Sequence, residues 1–335
     1  MSIRIAINGF GRIGRLTFRR MFELEGYEIA AVNDPASVEL SAYLLKYDTT
    51  QGKYKTDSIS ANAGELIVDG KHICYYSEMD PDNLMWGSLD IDLVVDCSGA
   101  YRSKERAQKH IDAGAGRVVI SSPAGDSVPA VVYGVNENTL DKSEMIVSAA
   151  SCSTNALAPM VKYLHEYAEV QSGMMLVVHG YTATQMLQDN AQKKGNFKRS
   201  RAAAENIIPT TAEAATAVGN VIPELKGKLV GSAVRVPVPV GCLVTFTAVV
   251  KGNDITAEKI NCMMKYKESD IFAYAKDEYV SSDIIGTTYA SIFDPTQTLV
   301  VPLENGLYEI RVAAWFDNEY SFTCQMVRLI EYLYK

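Results

Sequence analysis

The first half of the chain alternates short apolar runs with amphipathic stretches. Strand-type runs lie at 3–8, 29–33, 93–96 and 118–121. The stretch 12–23, which follows the first run, carries its apolar residues at helical spacing. Strands that alternate with helices in this way pair in parallel, with the helices on the faces of the sheet. We therefore predict an α/β fold, with a parallel sheet of βαβ units, over residues 1–150.

Beyond about residue 150 the pattern changes to longer strands. These are predicted at 174–179, 228–237, 243–251 and 307–315, with helices at 155–167 and 212–218 between them. Such a mixture is typical of an α+β domain with a large mixed or antiparallel sheet, which we place at 151–317. The last stretch, about 318–335, has apolar residues at helical spacing and predicts an amphipathic helix that packs back onto the first domain.

Length and composition fit two domains of an ordinary globular protein. The chain has 335 residues, of which 47% are apolar and 21% charged, so disorder and fibrous repeats find no support. Its formal net charge of −8 argues against nucleic acid as the primary partner. No apolar run approaches the roughly 20 residues that cross a bilayer, and the first residues lack a signal-peptide pattern. We therefore expect no membrane partner and a cytoplasmic location.

The six cysteines, at 74, 97, 152, 242, 262 and 324, do not form the pattern of a metal site. None belongs to a CxxC pair, and no histidine stands at zinc-ligand spacing. We therefore expect neither a disulfide framework nor a bound metal. The remaining possibility is that one cysteine is a nucleophile, which its local context must decide.

A glycine-rich turn follows the first predicted strand and opens the first predicted helix. Gly9, Gly11 and Gly14 fit the G-x-G-x-x-G pattern, which lets the backbone approach a pyrophosphate at a helix N-terminus. Asp34 ends the second strand, where a carboxylate accepts hydrogen bonds from an adenosine ribose and repels a 2′-phosphate. The pattern predicts a Rossmann-type domain that binds NAD rather than NADP. The alternatives are an ordinary glycine turn and, for Asp34, a turn residue before Pro35.

Cys152 is the candidate nucleophile. It lies at or just before the predicted start of a helix, where the dipole and free amides lower the pKa of a thiol. His179 leaves a predicted buried strand into a polar loop and could meet Cys152 as its activating base. From spacing alone, a buried structural cysteine and a hydrogen-bonded loop histidine remain open.

Several motifs in the same order closely resemble those of phosphorylating glyceraldehyde-3-phosphate dehydrogenases. The resemblance extends from Ile3 to the C-terminal helix, effectively the whole chain. The segments that carry it are 8–15 (NGFGRIGR), 45–48 (LKYD), 151–155 (SCSTN), 179–182 (HGYT), 235–237 (RVP) and 315–319 (WFDNE).

The resemblance implies a covalent mechanism in the second domain. Cys152 would attack the aldehyde of glyceraldehyde 3-phosphate, with His179 as acid and base. Hydride would pass from the thiohemiacetal to the nicotinamide of NAD, and inorganic phosphate would displace the resulting thioester to give an acyl phosphate. A homotetramer is the family expectation. The basic segment 193–201, which by composition alone could bind a polyanion, would lie at a subunit interface beside the cofactor.

Two sets of binding residues follow from the resemblance. The cofactor-binding residues would be Gly9, Gly11, Arg12, Ile13, Gly14, Asp34, Met79, Ser121 and Asn318, the last holding the nicotinamide carboxamide. The residues that bind the substrate phosphate and the inorganic phosphate would be Ser151, Ser153, Thr182, Arg199, Ala212, Glu213 and Arg235.

Ala212 and Glu213 depart from the resemblance, because relatives commonly have Thr-Gly at these positions of the inorganic-phosphate site. The change removes a hydroxyl donor and adds a carboxylate, so we expect weaker phosphate binding. A structural explanation is also open, since Glu213 could cap its own helix by accepting a hydrogen bond from the Thr210 amide. The departure motivates an alternative, an erythrose-4-phosphate dehydrogenase or another non-phosphorylating paralogue. A more distant alternative is a non-catalytic NAD-binding protein that acts through its surface.

Overall fold

The computed structural model describes residues 2–193 and 195–335, which divide into two compact units. The first unit comprises the chain up to Val131, Glu137–Ala150 and Met326–Lys335. The second unit comprises Val132–Asn136 and Ser151–Gln325.

In the first unit, parallel strands alternate with helices. The elements are β1 (Ile3–Asn8), α1 (Arg12–Met21), β2 (Tyr27–Asn33), α2 (Val38–Lys46), β3 (Ile59–Asn62), β4 (Glu65–Val68), β5 (Lys71–Tyr76), β6 (Leu93–Asp96), α3 (Lys104–Asp112), β7 (Arg117–Ile120) and β8 (Ile146–Ser148). The strand order is β3-β4-β5-β2-β1-β6-β7-β8. All neighbours from β5 to β8 pair in parallel, which confirms the predicted βαβ sheet. The β3-β4-β5 extension is antiparallel and was not predicted.

The second unit contains a mixed sheet, as predicted. Its elements are α4 (Cys152–Tyr167), β9 (Glu169–Gly180), β10 (Ile208–Thr211), α5 (Ala214–Val221), β11 (Leu229–Val236), β12 (Cys242–Lys251), α6 (Ala257–Tyr266), β13 (Phe272–Tyr274), β14 (Ser291–Phe293), β15 (Leu299–Pro302), β16 (Leu307–Phe316) and the first part of α7 (Tyr320–Tyr334). The strand order is β10-β11-β9-β12-β16-β14-β13, with β15 also on β16. Two of these pairings, β11-β9 and β13-β14, are parallel.

Each unit has its own apolar core. In the first unit the central strands are buried on both faces, with Ile5, Ile7 and Val94 fully inaccessible, as expected for parallel strands covered by helices. In the second unit Phe246 and Phe316 are fully buried on β12 and β16.

The helix α7 is divided between the two units after Gln325. Its final turns carry contacts within the first unit. Arg117 donates a hydrogen bond of 3.2 Å to the Leu333 carbonyl, and the Tyr334 hydroxyl donates one of 3.0 Å to the Asp92 carbonyl.

Candidate active site

The glycine-rich turn joins β1 to α1. Gly9 has a left-handed φ of +90°, and a Cβ atom built there would lie 2.5 Å from the Ser98 amide nitrogen. A Cβ at Gly14 would collide with the Gly9 carbonyl oxygen, so the fold itself requires glycine at both positions. At Gly11 a Cβ would meet no protein atom within 4 Å. Packing therefore does not require this glycine, whose bare backbone allows a pyrophosphate to approach the N-terminus of α1.

Asp34 follows β2 and lies beside this turn. Its Oδ2 accepts a hydrogen bond of 2.7 Å from the Phe10 amide, and its Oδ1 accepts one of 2.9 Å from the Ala36 amide. These bonds orient the carboxylate and leave each oxygen a further lone pair for a ribose hydroxyl. Asp34, the open backbone at Gly11 and the start of α1 together fit an adenosine diphosphate group.

The other predicted cofactor residues of the first unit lie near the same strand ends. Arg12 begins α1 and forms an ion pair with Asp48, and Ile13 is half-buried beside it. Ser121 follows β7, and its amide donates a hydrogen bond of 2.9 Å to the Asp96 carbonyl. Met79 lies after β5 with 78% of its surface exposed.

A buried polar network, which the sequence did not reveal, ties the carboxyl ends of β1, β2 and β6 together. Asn33 donates a hydrogen bond of 2.8 Å to Asn8 Oδ1, and Asn8 donates one of 2.8 Å to Asp96 Oδ1. His110 accepts one of 3.1 Å from the Trp86 indole. Burial raises the pKa of Asp96 and lowers the pKa of His110 to about 4. The network therefore fixes the strand ends from which the glycine-rich turn and Asp34 emerge.

Cys152 is the first residue of α4, which confirms its predicted position at a helix N-terminus. Ser151 is the N-cap, and its hydroxyl accepts a hydrogen bond of 3.1 Å from the Thr154 amide. The Ser153 hydroxyl lies 3.9 Å from Cys152 Sγ. The two predicted phosphate-binding serines thus flank the thiol at the positive end of the helix.

His179 lies near the end of β9, directly opposite Arg235 of β11 in the parallel pairing. Its Nε2 is 3.7 Å from Cys152 Sγ, so the two residues singled out by motif and context do meet. On the other side of the ring, Nδ1 lies 2.7 Å from the Gly180 carbonyl oxygen and 2.5 Å from Arg235 Nη1. Arg235 also donates a hydrogen bond of 2.9 Å to the Gly180 carbonyl.

The protonation states of this pair follow from burial and from Arg235. Burial lowers the pKa of His179 to about 3, and the Arg235 charge acts in the same direction, so the imidazole is neutral at pH 7. Burial also raises the pKa of the Cys152 thiol, against the opposing effects of Arg235 and the Ser153 hydroxyl and amide. The expected net lowering of that pKa by the helix end is therefore wrong, because burial outweighs it. Before the reaction Cys152 is therefore a thiol, and His179 beside it is a neutral base.

A hydroxyl and guanidinium cluster follows β9. Thr182 Oγ1 lies 3.0 Å from Thr184 Oγ1, which accepts a hydrogen bond of 2.6 Å from Arg199. The charge of Arg199 also acts on His179 and Arg235. Arg199 and Arg235 thus lie near the Cys152-His179 pair, and Thr182 is connected to Arg199 through Thr184, an arrangement suited to binding an anion. Of the basic segment 193–201, residue 194 lies outside the described residues.

Ala212 and Glu213 lie between β10 and α5, and Glu213 does not form the helix cap that the sequence predicted. Thr210 belongs to β10, where it pairs with Ala233 of β11. Glu213 is itself the N-cap of α5, and its side chain makes no capping hydrogen bond. The predicted bond between Glu213 and the Thr210 amide is therefore wrong. Across 2–193 and 195–335, no hydrogen bond or ion pair links Ala212 or Glu213 to Cys152 or Arg235.

Asn318 follows β16 and is buried, with 6% of its surface exposed. Its Oδ1 accepts a hydrogen bond of 3.2 Å from Cys242 Sγ, and Cys242 in turn accepts one of 3.3 Å from the Gly180 amide. The sequence assigned no role to Cys242. No local pattern reveals it, because its two partners are 76 and 62 residues away along the chain.

Neither a metal-binding cluster nor a membrane-spanning helix occurs among the described residues. Within 2–193 and 195–335, no group of three or more His, Cys, Asp or Glu side chains could hold a metal ion. None of the helices in those residues combines the length and the apolar character needed to cross a bilayer. All six cysteines are free thiols.

Comparison with family models gives two matches. A model described as the NAD binding domain of glyceraldehyde 3-phosphate dehydrogenase matches residues 3–104. A model described as the C-terminal domain of glyceraldehyde 3-phosphate dehydrogenase matches residues 151–318.

Curated proteins give the same result over nearly the full chain. Glyceraldehyde-3-phosphate dehydrogenase of Clostridium pasteurianum is 45% identical over 332 residues, which cover 99% of this chain and 98% of that protein. The protein of the same name from Lactobacillus delbrueckii subsp. bulgaricus is 47% identical, with 98% of each chain covered. The one from Streptococcus pyogenes serotype M1 is 44% identical, with 100% of this chain and 99% of that protein covered.

Proposed function

We propose roles for individual residues from one premise: the chain belongs to the glyceraldehyde-3-phosphate dehydrogenase family and is an NAD-dependent oxidoreductase of glycolysis. In our proposal Cys152 is the nucleophile toward the aldehyde of glyceraldehyde 3-phosphate, and His179 is its general base. The observation that carries these roles is the 3.7 Å separation of Cys152 Sγ and His179 Nε2 at the N-terminus of α4. We assign the first unit, with the C-terminal part of α7, to NAD binding and the second unit to catalysis.

A neutral imidazole has a lone pair on one ring nitrogen, which the first proton transfer requires. We assign the ring proton to Nδ1, directed at the Gly180 carbonyl, so Arg235 Nη1 donates to that carbonyl rather than to Nδ1. Nε2 of His179 then accepts the proton of the attacking thiol. Attack forms the S–C bond and turns the carbonyl oxygen into an alkoxide, to which the protonated imidazole donates its proton; this gives the thiohemiacetal on Cys152 and returns His179 to the neutral form. His179 takes up the hydroxyl proton as hydride leaves the carbon, which gives a thioester. The cofactor supplies the hydride acceptor, and Asn318 holds its carboxamide.

Thioester release is proposed to use inorganic phosphate as the nucleophile. Thr182 and Arg235 would bind one phosphate and Ser151 and Ser153 the other, with Arg199 nearby. Cationic and hydroxyl donors at the positive end of α4 are suited to both anions. Displacement by phosphate gives the acyl phosphate 1,3-bisphosphoglycerate, so the energy of the thioester is retained.

The experiment that tests this function is NADH formation from glyceraldehyde 3-phosphate, titrated with inorganic phosphate. We expect saturable dependence on phosphate, with a half-saturation concentration raised by the exposed Glu213 carboxylate. Combined substitution Ala212→Thr and Glu213→Gly restores a hydroxyl and removes the charge, and should lower that concentration about fivefold, the effect of roughly 1 kcal/mol. Substitution of exposed Glu205 by Gly is the matched control.

A rate that is indifferent to phosphate would contradict the phosphorylating reaction. Water would then release the acyl group, and erythrose 4-phosphate should be compared with glyceraldehyde 3-phosphate by kcat/KM. The departure at Ala212 and Glu213 is the observation that favours this second candidate.

Asp34→Gly tests the assigned ribose contact. Loss of a charged acceptor should raise KM for NAD about tenfold and lower KM for NADP, because the repulsion of a 2′-phosphate is removed. Steady-state kinetics with both cofactors measure the change. Asp57→Gly removes an exposed carboxylate from the same unit and should leave both values unchanged. An unaltered cofactor preference in Asp34→Gly would show that Asp34 does not contact the ribose.

We also propose a homotetramer in the cytoplasm. The support within this chain is a group of exposed apolar side chains on the mixed sheet: Met174 and Leu176 project from one face of β9, and Val230 of β11 lies opposite Met174 in the register. Exposed apolar clusters of this kind are typical of subunit interfaces. Sedimentation equilibrium of the purified protein gives the subunit number, and a monomer would contradict the proposal.

A further inference from the structure

Cys242 is a buried thiol with hydrogen bonds to two segments of the second unit, one next to His179 and one that contains Asn318. It is the first residue of β12 and is fully inaccessible to solvent. Its Sγ accepts a hydrogen bond of 3.3 Å from the Gly180 amide, next to His179, and donates one of 3.2 Å to Asn318 Oδ1. One sulfur atom thus joins the end of β9 to the residue that follows β16.

The surroundings keep this sulfur protonated and fixed in place. Burial raises the pKa of the Cys242 thiol well above its ordinary value, so it remains an S–H donor. Cys242 pairs with Phe316 across the β12-β16 ladder, and Asn318 lies only two residues beyond Phe316. The hydrogen bond to Asn318 therefore joins the first residue of β12 to the turn that directly follows β16.

The contact with Cys242 shows which way the Asn318 amide points, because Oδ1 and not the NH₂ group faces the sulfur. A side-chain amide has one oxygen acceptor and one NH₂ donor, which are almost equal in shape. A donor at Cys242 is matched only by the amide oxygen, and this leaves the Asn318 NH₂ group to face its other side. An NH₂ group there can donate to the carbonyl oxygen of a carboxamide.

We infer that Cys242 is a positioning residue for cofactor binding: its S–H group fixes the orientation of the Asn318 amide so that Asn318 donates to the carbonyl oxygen of the nicotinamide carboxamide. The inference rests on the proposed function, because it takes Asn318 as the residue that holds the carboxamide. Without the thiol, the two orientations of the Asn318 amide are no longer distinguished by a hydrogen bond. Fixing one of them when the cofactor binds then costs conformational entropy, which weakens binding.

The test compares equilibrium binding of NAD with that of ADP-ribose, which lacks the nicotinamide ring. Calorimetric titration gives both dissociation constants without catalysis. Cys242→Ala should weaken NAD binding about three- to tenfold, the effect of one lost hydrogen bond, and leave ADP-ribose binding unchanged. Cys242→Ser restores a donor and should recover most of the affinity for NAD. Cys242→Val fills the space without a donor and should resemble Cys242→Ala.

Two further variants make the result decisive. Cys324→Ala creates an equivalent cavity at a buried cysteine of α7, so it measures the general cost of removing a core thiol. Asn318→Ala tests the premise and should weaken NAD binding at least as much as Cys242→Ala, again without affecting ADP-ribose.

The outcomes separate the inference from the function on which it rests. Selective loss of NAD affinity in Cys242→Ala, with rescue by serine, supports the positioning role. If Asn318→Ala loses NAD affinity selectively while Cys242→Ala weakens both ligands equally or neither, the inference fails and the proposed role of Asn318 stands. If Asn318→Ala itself shows no selective loss, the proposed carboxamide contact fails, and the inference fails with it.

Discussion

Replacement of Cys152 by serine is expected to lower kcat/KM for glyceraldehyde 3-phosphate by about four powers of ten. Serine keeps the size of the side chain and is itself compatible with the first turn of α4, so the fold should persist. The alcohol, however, is far less acidic than a thiol and far less nucleophilic at neutral pH. His179 at 3.7 Å from Cys152 Sγ is a neutral base of lowered pKa, and it cannot compensate for so large a difference in acidity.

The measurement is NADH formation under saturating phosphate, with thermal unfolding of each variant as a check on folding. Cys262→Ser, at an exposed thiol on α6, is the matched control and should retain nearly full activity. Alkylation by iodoacetamide should inactivate the unmodified enzyme and the Cys262 variant alike. Activity of Cys152→Ser within a few-fold of the original would overturn the nucleophile assignment.

The elements that surround the site were predictable where the signal is local. The bounds of β1 and β6 agree with the apolar runs, because buried parallel strands are almost continuously apolar and end at polar residues. The position of Cys152 at a helix N-terminus was likewise predicted, from the helical run that follows it, although α4 begins at Cys152 rather than at residue 155. The antiparallel strands β3 to β5 lack such a signal, since they lie at one side of the sheet and only some of their residues are buried.

The errors arose where pairing over long sequence distances overrides a local pattern. The sequence Thr-Thr-Ala-Glu at 210–213 fits a helix cap, but Thr210 and Thr211 pair with Ala233 and Ser232 of β11. The first two residues of the motif therefore belong to β10, and α5 begins only at Ala214. A four-residue pattern contains no information about a partner strand whose paired residues are 21 and 23 positions away.

The electrostatics of the site depend on burial, which the sequence does not reveal at single residues. Cys152 and His179 were identified from motif and context, and their meeting was expected. The raised thiol pKa, the lowered imidazole pKa and the contact of Arg235 with His179 emerge only from the assembled sheet. Cys242 is similar, because its hydrogen bonds join β12 to the end of β9 and to the turn after β16, both distant along the chain.

Replacement of His179 by glutamine is expected to lower kcat/KM by about two to four powers of ten at pH 7, the usual contribution of a general base. The loss should shrink as the pH rises. The pKa of His179 is lowered to about 3, so the imidazole of the unmodified enzyme is unprotonated and available throughout pH 6 to 9. The variant has no such base and depends on thiol molecules that ionise by themselves. Their fraction grows about tenfold per pH unit below the thiol pKa.

The ratio of kcat/KM between enzyme and variant, measured from pH 6 to 9, therefore has a predicted sign: it is largest at pH 6 and falls toward pH 9. His72→Gln, at an exposed histidine of β5 in the first unit, provides the control and should give a ratio near one at every pH. A ratio for His179→Gln that does not change with pH would mean that His179 holds the thiol in place without accepting its proton. If His179 accepts the thiol proton, the ratio falls, because at higher pH hydroxide removes that proton in the variant.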